Sequence, residues 1–352
     1  MIITWSKIFT LMKEFKEEVL VTGAAGFIGY HVVKRLMSEG HKVIGLDNMN
    51  EYYSIQLKID RLKEVGIELL NGEKSVFHAQ GFKFYQGDLS NPELINRIFS
   101  ENAIQYIVHV GAQAGVRHSI DNPQSYNISN LDGTLNILEG MRRNDVKHLV
   151  YASSSSVYGV DSKQPFNENE RCDNPVSYYA ATKRSNEIMA ASYANMYKKT
   201  ITGLRFFTVY GPWGRPDMAP MLFAKAASEG RTIKVFNNGN QSRDFTYIDD
   251  IVEGILRITF NARRMEEQGH EVFNIGAGKP VGLMDFIDGL EVNFNCKISK
   301  EFVEAQLGDV PVTYADTRKL EEYIHFRPEI DLVYGLKRFS DWFRTYFASE
   351  YR

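Results

Sequence analysis

The chain has 352 residues, 43% hydrophobic and 24% charged, with a formal charge of −3. That length suggests about two domains and supports a sizeable core, and the composition excludes disorder and low complexity. There is no basic excess for nucleic acid and no polybasic run for a membrane surface, so an anionic ligand needs locally placed Arg, Lys or helix N-termini.

The first eleven residues are apolar but lack a basic leader and a small-residue cleavage site, and the charged stretch from Lys13 to Glu18 follows at once, which argues against a signal peptide. Residues 1–17 read as an N-terminal extension, with Met12 a second candidate start. Val19-Leu20-Val21 is the first strand, and Thr22-Gly23-Ala24-Ala25-Gly26-Phe27-Ile28-Gly29 joins it to a helix over 27–38. Glycines there allow a tight turn and close approach of backbone to a pyrophosphate, and the helix N-terminus offers unpaired N–H groups. The same spacing can also be a plain structural turn. The strand before and helix after favour a dinucleotide site with Gly23, Ala25, Gly26, Phe27, Ile28 and Gly29 as its contacts.

A second strand over 42–47 ends at Asp47, where a carboxylate accepts hydrogen bonds from an adenosine ribose and repels a 2′-phosphate, favouring NAD over NADP. Asn48 follows it. A third strand over 82–88 ends at Asp88-Leu89, placed either to meet the adenine or to cap the helix opened by Asn91-Pro92. Strands follow at 106–110, 148–152 and 200–207, with helices at 127–143 and 176–197. Repeated units of this kind specify a Rossmann doubly wound parallel sheet of the α/β class. After Gly211-Pro212 the pattern weakens and Pro, Gly and Asn become frequent. The expected division is a cofactor domain over 18–210 and a smaller C-terminal α+β substrate domain over 211–352, partly interleaved with the first.

Tyr179 and Lys183 lie at i and i+4 on one face of the long helix. A phenol titrates near 10, but a nearby ammonium and a nicotinamide cation favour phenolate, which then accepts a proton from a substrate hydroxyl. Lys183 would also hold the nicotinamide ribose. Ser153 to Ser156 follow a strand at the sheet edge where ligands bind; Ser154 is the candidate hydroxyl orienting the substrate, the alternative being a helix N-cap. His109 reads as a satisfied core histidine. Eight histidines and the two cysteines, Cys172 and Cys296, show no metal-ligand spacing, so neither a metal nor a disulfide framework is expected, and the thiols fit a reducing, cytoplasmic setting.

These residues, with Tyr158-Gly159, Arg205 to Pro212 and Arg243-Asp244-Phe245, resemble the extended short-chain dehydrogenases/reductases from about residue 18 to the C-terminus. Within that family the chain is most similar to the UDP-glucuronate 4-epimerases, through Asp47 to Tyr53, Gln113 to Arg117, Thr208 to Met218 and Gly308 to Asp316. It departs at Gly111, where alanine is usual, and at Pro220-Met221. The resemblance implies bound NAD, Gln113 among the cofactor contacts, and inversion at C4 of a UDP-sugar through a 4-keto intermediate. It implies that Arg243 meets the pyrophosphate. Thr208, Ser155 and Ser156 would hold the C5 carboxylate, and Arg117 and Arg215 face anionic substrate or make structural pairs. It also implies a homodimer across the helices near 127–142 and 176–196. Relatives that eliminate water or decarboxylate carry an acid beside the catalytic hydroxyl; Ser155 and Ser156 stand there instead. Epimerisation of neutral UDP-glucose or UDP-N-acetylglucosamine, UDP-glucuronate decarboxylation and a non-catalytic NAD-binding scaffold are the rival readings.

Overall fold

The computed structural model describes residues 16–69, 75–304 and 310–348; the extension over 1–15, Met12 included, and Gly308-Asp309 lie outside them. An eight-stranded sheet is built from β1 (Glu18–Thr22), β2 (Lys42–Asp47), β3 (Val76–Ala79), β4 (Phe82–Gln86), β5 (Tyr106–His109), β6 (His148–Ser154), β7 (Ile201–Phe206) and one later strand. The connecting helices are α1 (Phe27–Ser38), α2 (Ile55–Glu64), α3 (Pro92–Glu101), the short α4 (His118–Asp121) and α5 (Pro123–Tyr126), α6 (Gly133–Arg143) and α7 (Tyr178–Tyr197). Beyond them come β8 (Thr208–Tyr210), α8 (Ala219–Glu229), β9 (Ile233–Phe236), β10 (Ser242–Tyr247), α9 (Ile248–Thr259) and β11 (His270–Ile275). Strand β11 returns to the main sheet, whose order is β11-β7-β6-β5-β1-β2-β4-β3.

Chain alternation explains why both faces are covered. In β1, Val19 and Val21 join a core layer with Val32, Val33 and Leu36 of α1 and Ile251 and Ile255 of α9. Leu20 points the other way, into a layer with Ile95 and Ile98 of α3, Ile137 and Leu138 of α6 and Ala190 of α7. Strands buried on two faces carry continuous apolar runs, as residues 19–21 of β1 and 106–108 of β5 do. The strand order turns back between β1 and β5, and a crevice opens at the carboxyl ends of the strands there.

Three features differ from the sequence expectation. The sheet is not wholly parallel: the edge strand β3 pairs antiparallel with β4. Helix α2 was unread because its buried face carries Lys58 and Arg61 beside Leu57 and Leu62. The helix expected over 127–143 is split into a π-helical stretch, Asn127–Asp132, and α6. The widened turn accompanies an unusual bond set: buried Asn130 accepts from the Gln113 N–H at 2.8 Å, and its Nδ2 donates to the Gln113 carbonyl at 3.1 Å and to Thr182 Oγ1 at 3.0 Å. Asn130 thus ties the loop after β5 to α7.

Candidate active site

The glycine loop sits at the carboxyl end of β1. Gly23 has φ +67°, and a Cβ there would lie 2.8 Å from Gly111 Cα; a Cβ on Gly29 would lie 2.0 Å from the Gly23 carbonyl oxygen. No side chain caps α1 and no acid stands in its first turn. The helix end is therefore open to an anion, with backbone closed tightly around it. Asp47 accepts from the Ala25 N–H at 3.2 Å and the Met49 N–H at 2.9 Å, which fixes its carboxylate at the rim. Asn48 Nδ2 donates to Asp88 at 2.8 Å. Burial tends to raise the Asp88 carboxyl, but bonds from Asn48 and Ser90 outweigh it and hold it below its usual value. Asn91, not Asp88, caps α3. A glycine cradle, an open helix end and two oriented carboxylates fit a dinucleotide carrying ribose hydroxyls.

The same cleft is lined by Gly23, Gly26, Phe27, Ile28, Gly29, Asp47, Asn48, Asp88, Leu89 and Gln113 on one side and by Ser154, Ser155, Ser156, Tyr179, Lys183, Thr208 and Arg215 on the other. Tyr179 stands in the first turn of α7, after Ser177 caps the helix by accepting from the Ala180 N–H. Burial pushes its phenol up, while a hydrogen bond with Ser154 and the charge of Arg215 draw it down. Lys183 is buried, its Nζ donating to the Ala152 carbonyl at 2.9 Å, and burial lowers it to about 8. The cation drawing Tyr179 down is thus Arg215 rather than the expected Lys183, whose ammonium is directed at the end of β6. Ser154 serves both of its readings: it meets Tyr179, and its side chain accepts from the Ser156 N–H at 3.2 Å, capping a short 3₁₀ turn over Ser155–Tyr158.

Three expected contacts are placed elsewhere. Ala25 is fully buried and offers only its backbone. Arg117 is exposed and lies over the Phe236 ring at 5.2 Å. Arg243, on β10, donates to the carbonyls of Ser242 at 3.0 Å and Pro311 at 3.1 Å and does not line the cleft. The physical reason is shared: a guanidinium takes the nearest acceptors or aromatic face available, and sequence spacing does not show which these are. His109 is a satisfied core residue, bonded to Thr22 at 2.7 Å and Thr134 at 3.2 Å, with burial lowering it to about 3.

Sequence reasoning missed Lys58, Arg61 and Glu187. Lys58 lines the cleft, donates to Asn50 and stands 3.8 Å from Asp47. Arg61 staples the glycine loop from below, donating to the carbonyls of Ala25 at 2.9 Å and Trp213 at 2.6 Å and to the Tyr53 hydroxyl at 2.7 Å. Glu187, one turn beyond Lys183, accepts from Ser153 Oγ at 2.6 Å and pairs with Arg205 through two bonds of 2.9 Å. Both members of that pair are almost fully buried. No cluster of His, Cys, Asp or Glu able to hold a metal occurs among the described residues.

Comparison with known proteins places this geometry. The profile of the NAD dependent epimerase/dehydratase family matches residues 19–276. The UDP-glucuronate 4-epimerase of Thermodesulfobacterium geofontis is 42% identical over 324 residues, covering 92% of this chain and 95% of its own length. The crystal structure of UDP-glucuronic acid 4-epimerase from Bacillus cereus, in complex with UDP-glucuronic acid and NAD, superposes with a TM-score of 0.83 at 29% identity, covering 94% of this chain and 99% of that one. The UDP-glucose 4-epimerase of Thermotoga maritima superposes with a TM-score of 0.82 at 28% identity, with the same coverages.

Proposed function

Because the chain belongs to the NAD dependent epimerase/dehydratase family and is an NAD-dependent UDP-sugar 4-epimerase, we propose that its sugar is glucuronic acid, inverted at C4 to give UDP-galacturonic acid. The observation that carries this reading is the sugar-side wall of the cleft. Beyond Tyr179 it presents the hydroxyls of Ser155, Ser156 and Thr208 and the guanidinium of Arg215, a set of donors suited to a carboxylate. The named relatives that act on UDP-glucuronic acid support it.

Bound NAD, held by the glycine loop, Asp47, Asp88 and Lys183, supplies reversible two-electron oxidation at the sugar carbon. The chain's own groups handle protons and orientation. Tyr179, as phenolate, accepts the proton of the C4 hydroxyl, and Ser154 aligns that hydroxyl by bonding to the same phenol. Arg215 favours the phenolate across the cleft. The resulting 4-keto sugar must turn, so that hydride would return to the opposite face of C4 while Tyr179 gives the proton back to the C4 oxygen. A 4-keto uronic acid is also a β-keto acid and loses carbon dioxide readily; Thr208, Ser155 and Ser156 restrain its carboxylate against that route. No carboxylic acid stands at Ser155 or Ser156 to promote elimination.

Purified enzyme incubated with UDP-glucuronic acid and no added NAD is expected to form the 4-epimer at constant total uronic acid, followed by proton NMR. Thr208→Ala is expected to divert part of the product to a pentose. Conversion of UDP-glucose but not of UDP-glucuronic acid would assign the neutral sugar instead.

The same reading divides the labour between a cofactor half over 18–210 and a substrate half over 211–352, in the cytoplasm. It also includes a homodimer. Ile128 and Leu135 on the helical segment 127–143, and Ile188 and Met196 on α7, are large apolar side chains between 38% and 58% exposed. Ile188 and Met196 are about two helical turns apart on α7 and so share a face; Ile128 lies in the π-helical stretch and Leu135 in α6. Light scattering is expected to give twice the chain mass; the monomer mass would end the dimer proposal. Among the described residues no helix is long and apolar enough to cross a membrane.

A further inference from the structure

Arg215 and Asp217 lie between β8 and α8. Arg215 lines the cleft with Tyr179 and Thr208, whereas Asp217 does not. Arg215 Nε donates to Asp217 Oδ1 at 3.1 Å and one terminal nitrogen donates to Oδ2 at 2.5 Å. Neither bond uses the other terminal nitrogen. The carboxylate is itself held from the opposite half of the molecule: the Tyr52 hydroxyl, in the loop after β2, donates to Asp217 Oδ2 at 3.0 Å. The Tyr52 ring also carries the guanidinium at 5.7 Å from its centroid.

A guanidinium binds a carboxylate most strongly through two parallel bonds from one edge. Here one such edge is already filled from within the protein. A sugar carboxylate reaching Arg215 is left with the other edge, made by the two terminal nitrogens, and it meets a cation whose charge is largely balanced. A grip on a balanced cation is weaker and more easily released. The chemistry above requires release, because the keto sugar must turn between proton removal and proton return. A grip equally tight before and after the turn would lower KM while slowing turnover.

We propose that Asp217 sets how tightly and how selectively the cleft holds an acidic sugar, by occupying one edge of Arg215 and balancing its charge so that its grip on the sugar carboxylate stays releasable, with Tyr52 holding Asp217 in place. This rests on the reading of the cleft as a site for an acidic UDP-sugar. Asp217 is a positioning residue, acting on substrate through Arg215.

The test uses full-length enzyme loaded with NAD and two probes, UDP-glucuronic acid and UDP-glucose. Binding is measured by calorimetry and turnover by NMR. Asp217→Asn keeps the shape and removes the charge. It is expected to tighten UDP-glucuronic acid about five- to tenfold relative to UDP-glucose and to lower kcat on the acid by a similar factor. Tyr52→Phe keeps the ring and loosens the carboxylate, and is expected to shift the same ratio the same way by about two- to threefold. A merely structural role would weaken both ligands together; that result, or an unchanged ratio in both variants, overturns the inference. Should Asp217→Asn not fold, Tyr52→Phe decides alone. A wild-type enzyme that turns over UDP-glucose and ignores UDP-glucuronic acid overturns the substrate reading instead, and the binding ratio in the variants still decides the role of Asp217.

Discussion

Tyr179→Phe is expected to leave a folded protein that still binds NAD and UDP-sugar while kcat falls by about 10²- to 10⁴-fold, the usual span for loss of a positioned general base. The variant removes one oxygen from a half-buried ring in the first turn of α7. It leaves the Ser177 cap and the packing of α7 on the sheet untouched. What it removes is the phenol that bonds to Ser154 in the cleft. Burial outweighs Arg215 and Ser154 and holds the phenol above its ordinary value in this structure, while those two groups favour the ionised form. Lys183, lowered to about 8 by burial, still carries most of its charge at neutral pH. The measurement is single-turnover conversion at saturating substrate. A fall in kcat with KM within about twofold identifies lost transition-state chemistry rather than lost binding. A fall of less than about tenfold would assign proton transfer to another group.

The second large effect lies about two turns further along the same helix. Glu187→Ala is expected to destabilise the fold by about 3–5 kcal/mol, because it leaves the Arg205 charge buried without its carboxylate. One terminal nitrogen of Arg205 already lacks a hydrogen-bond partner, so the guanidinium has no reserve of acceptors. Its remaining neighbour is the Tyr158 ring at 4.7 Å. The change also frees Ser153, which adjoins Ser154, so kcat is expected to fall as well. Equilibrium urea unfolding measures the first effect, and a loss below about 1 kcal/mol would show that the pair is dispensable. The pH dependence has a definite sign. Burial tends to raise the Glu187 carboxyl, but Arg205 and Ser153 outweigh it and hold it below its ordinary value. Its contribution is therefore complete above about pH 4.3, the unfolded carboxylate value, and is lost as pH falls below that through the folded value. Replacing Glu187 and Arg205 together by methionine should recover much of the stability, since the cost arises from the unpaired partner.

The parts of the site legible in the sequence are those written in short range. The glycine loop needs only its own strand and helix, and Tyr179 and Lys183 need only one turn of helix, so spacing alone places them. Asp47 and Asp88 follow because strand ends in this architecture converge on one crevice. Residues with two opposite meanings were not legible. Lys58, Arg61 and Glu187 look like a solvated helix face in any periodicity argument, yet they are buried because partners distant in the chain satisfy them: Asn50 and Asp47 for Lys58, Trp213 and Ala25 for Arg61, Arg205 for Glu187. Arg117 and Arg243 show the reverse case. Each carries the right charge for an anionic ligand, and in this structure Arg117 rests over an aromatic ring and Arg243 against backbone carbonyls. The edge strand β3 escaped because four residues carry too little pattern, and β11 because its pairing with β7 spans a whole further lobe.

The return of β11 to the edge of β7 also governs how the chain comes off the ribosome. Every residue of β7, from Ile201 to Phe206, pairs with β6 on one side and with β11 on the other. When β7 emerges its second edge has no mate until Ile275 has been made, which at about 5–20 residues per second is an interval of several seconds. Through that interval a strand that ends fully buried presents an open row of N–H and C=O groups, the arrangement most prone to pair with the wrong chain. The nascent protein is thus most vulnerable after its catalytic helix has been synthesised and before its sheet is closed, and holdase chaperones have their natural window there.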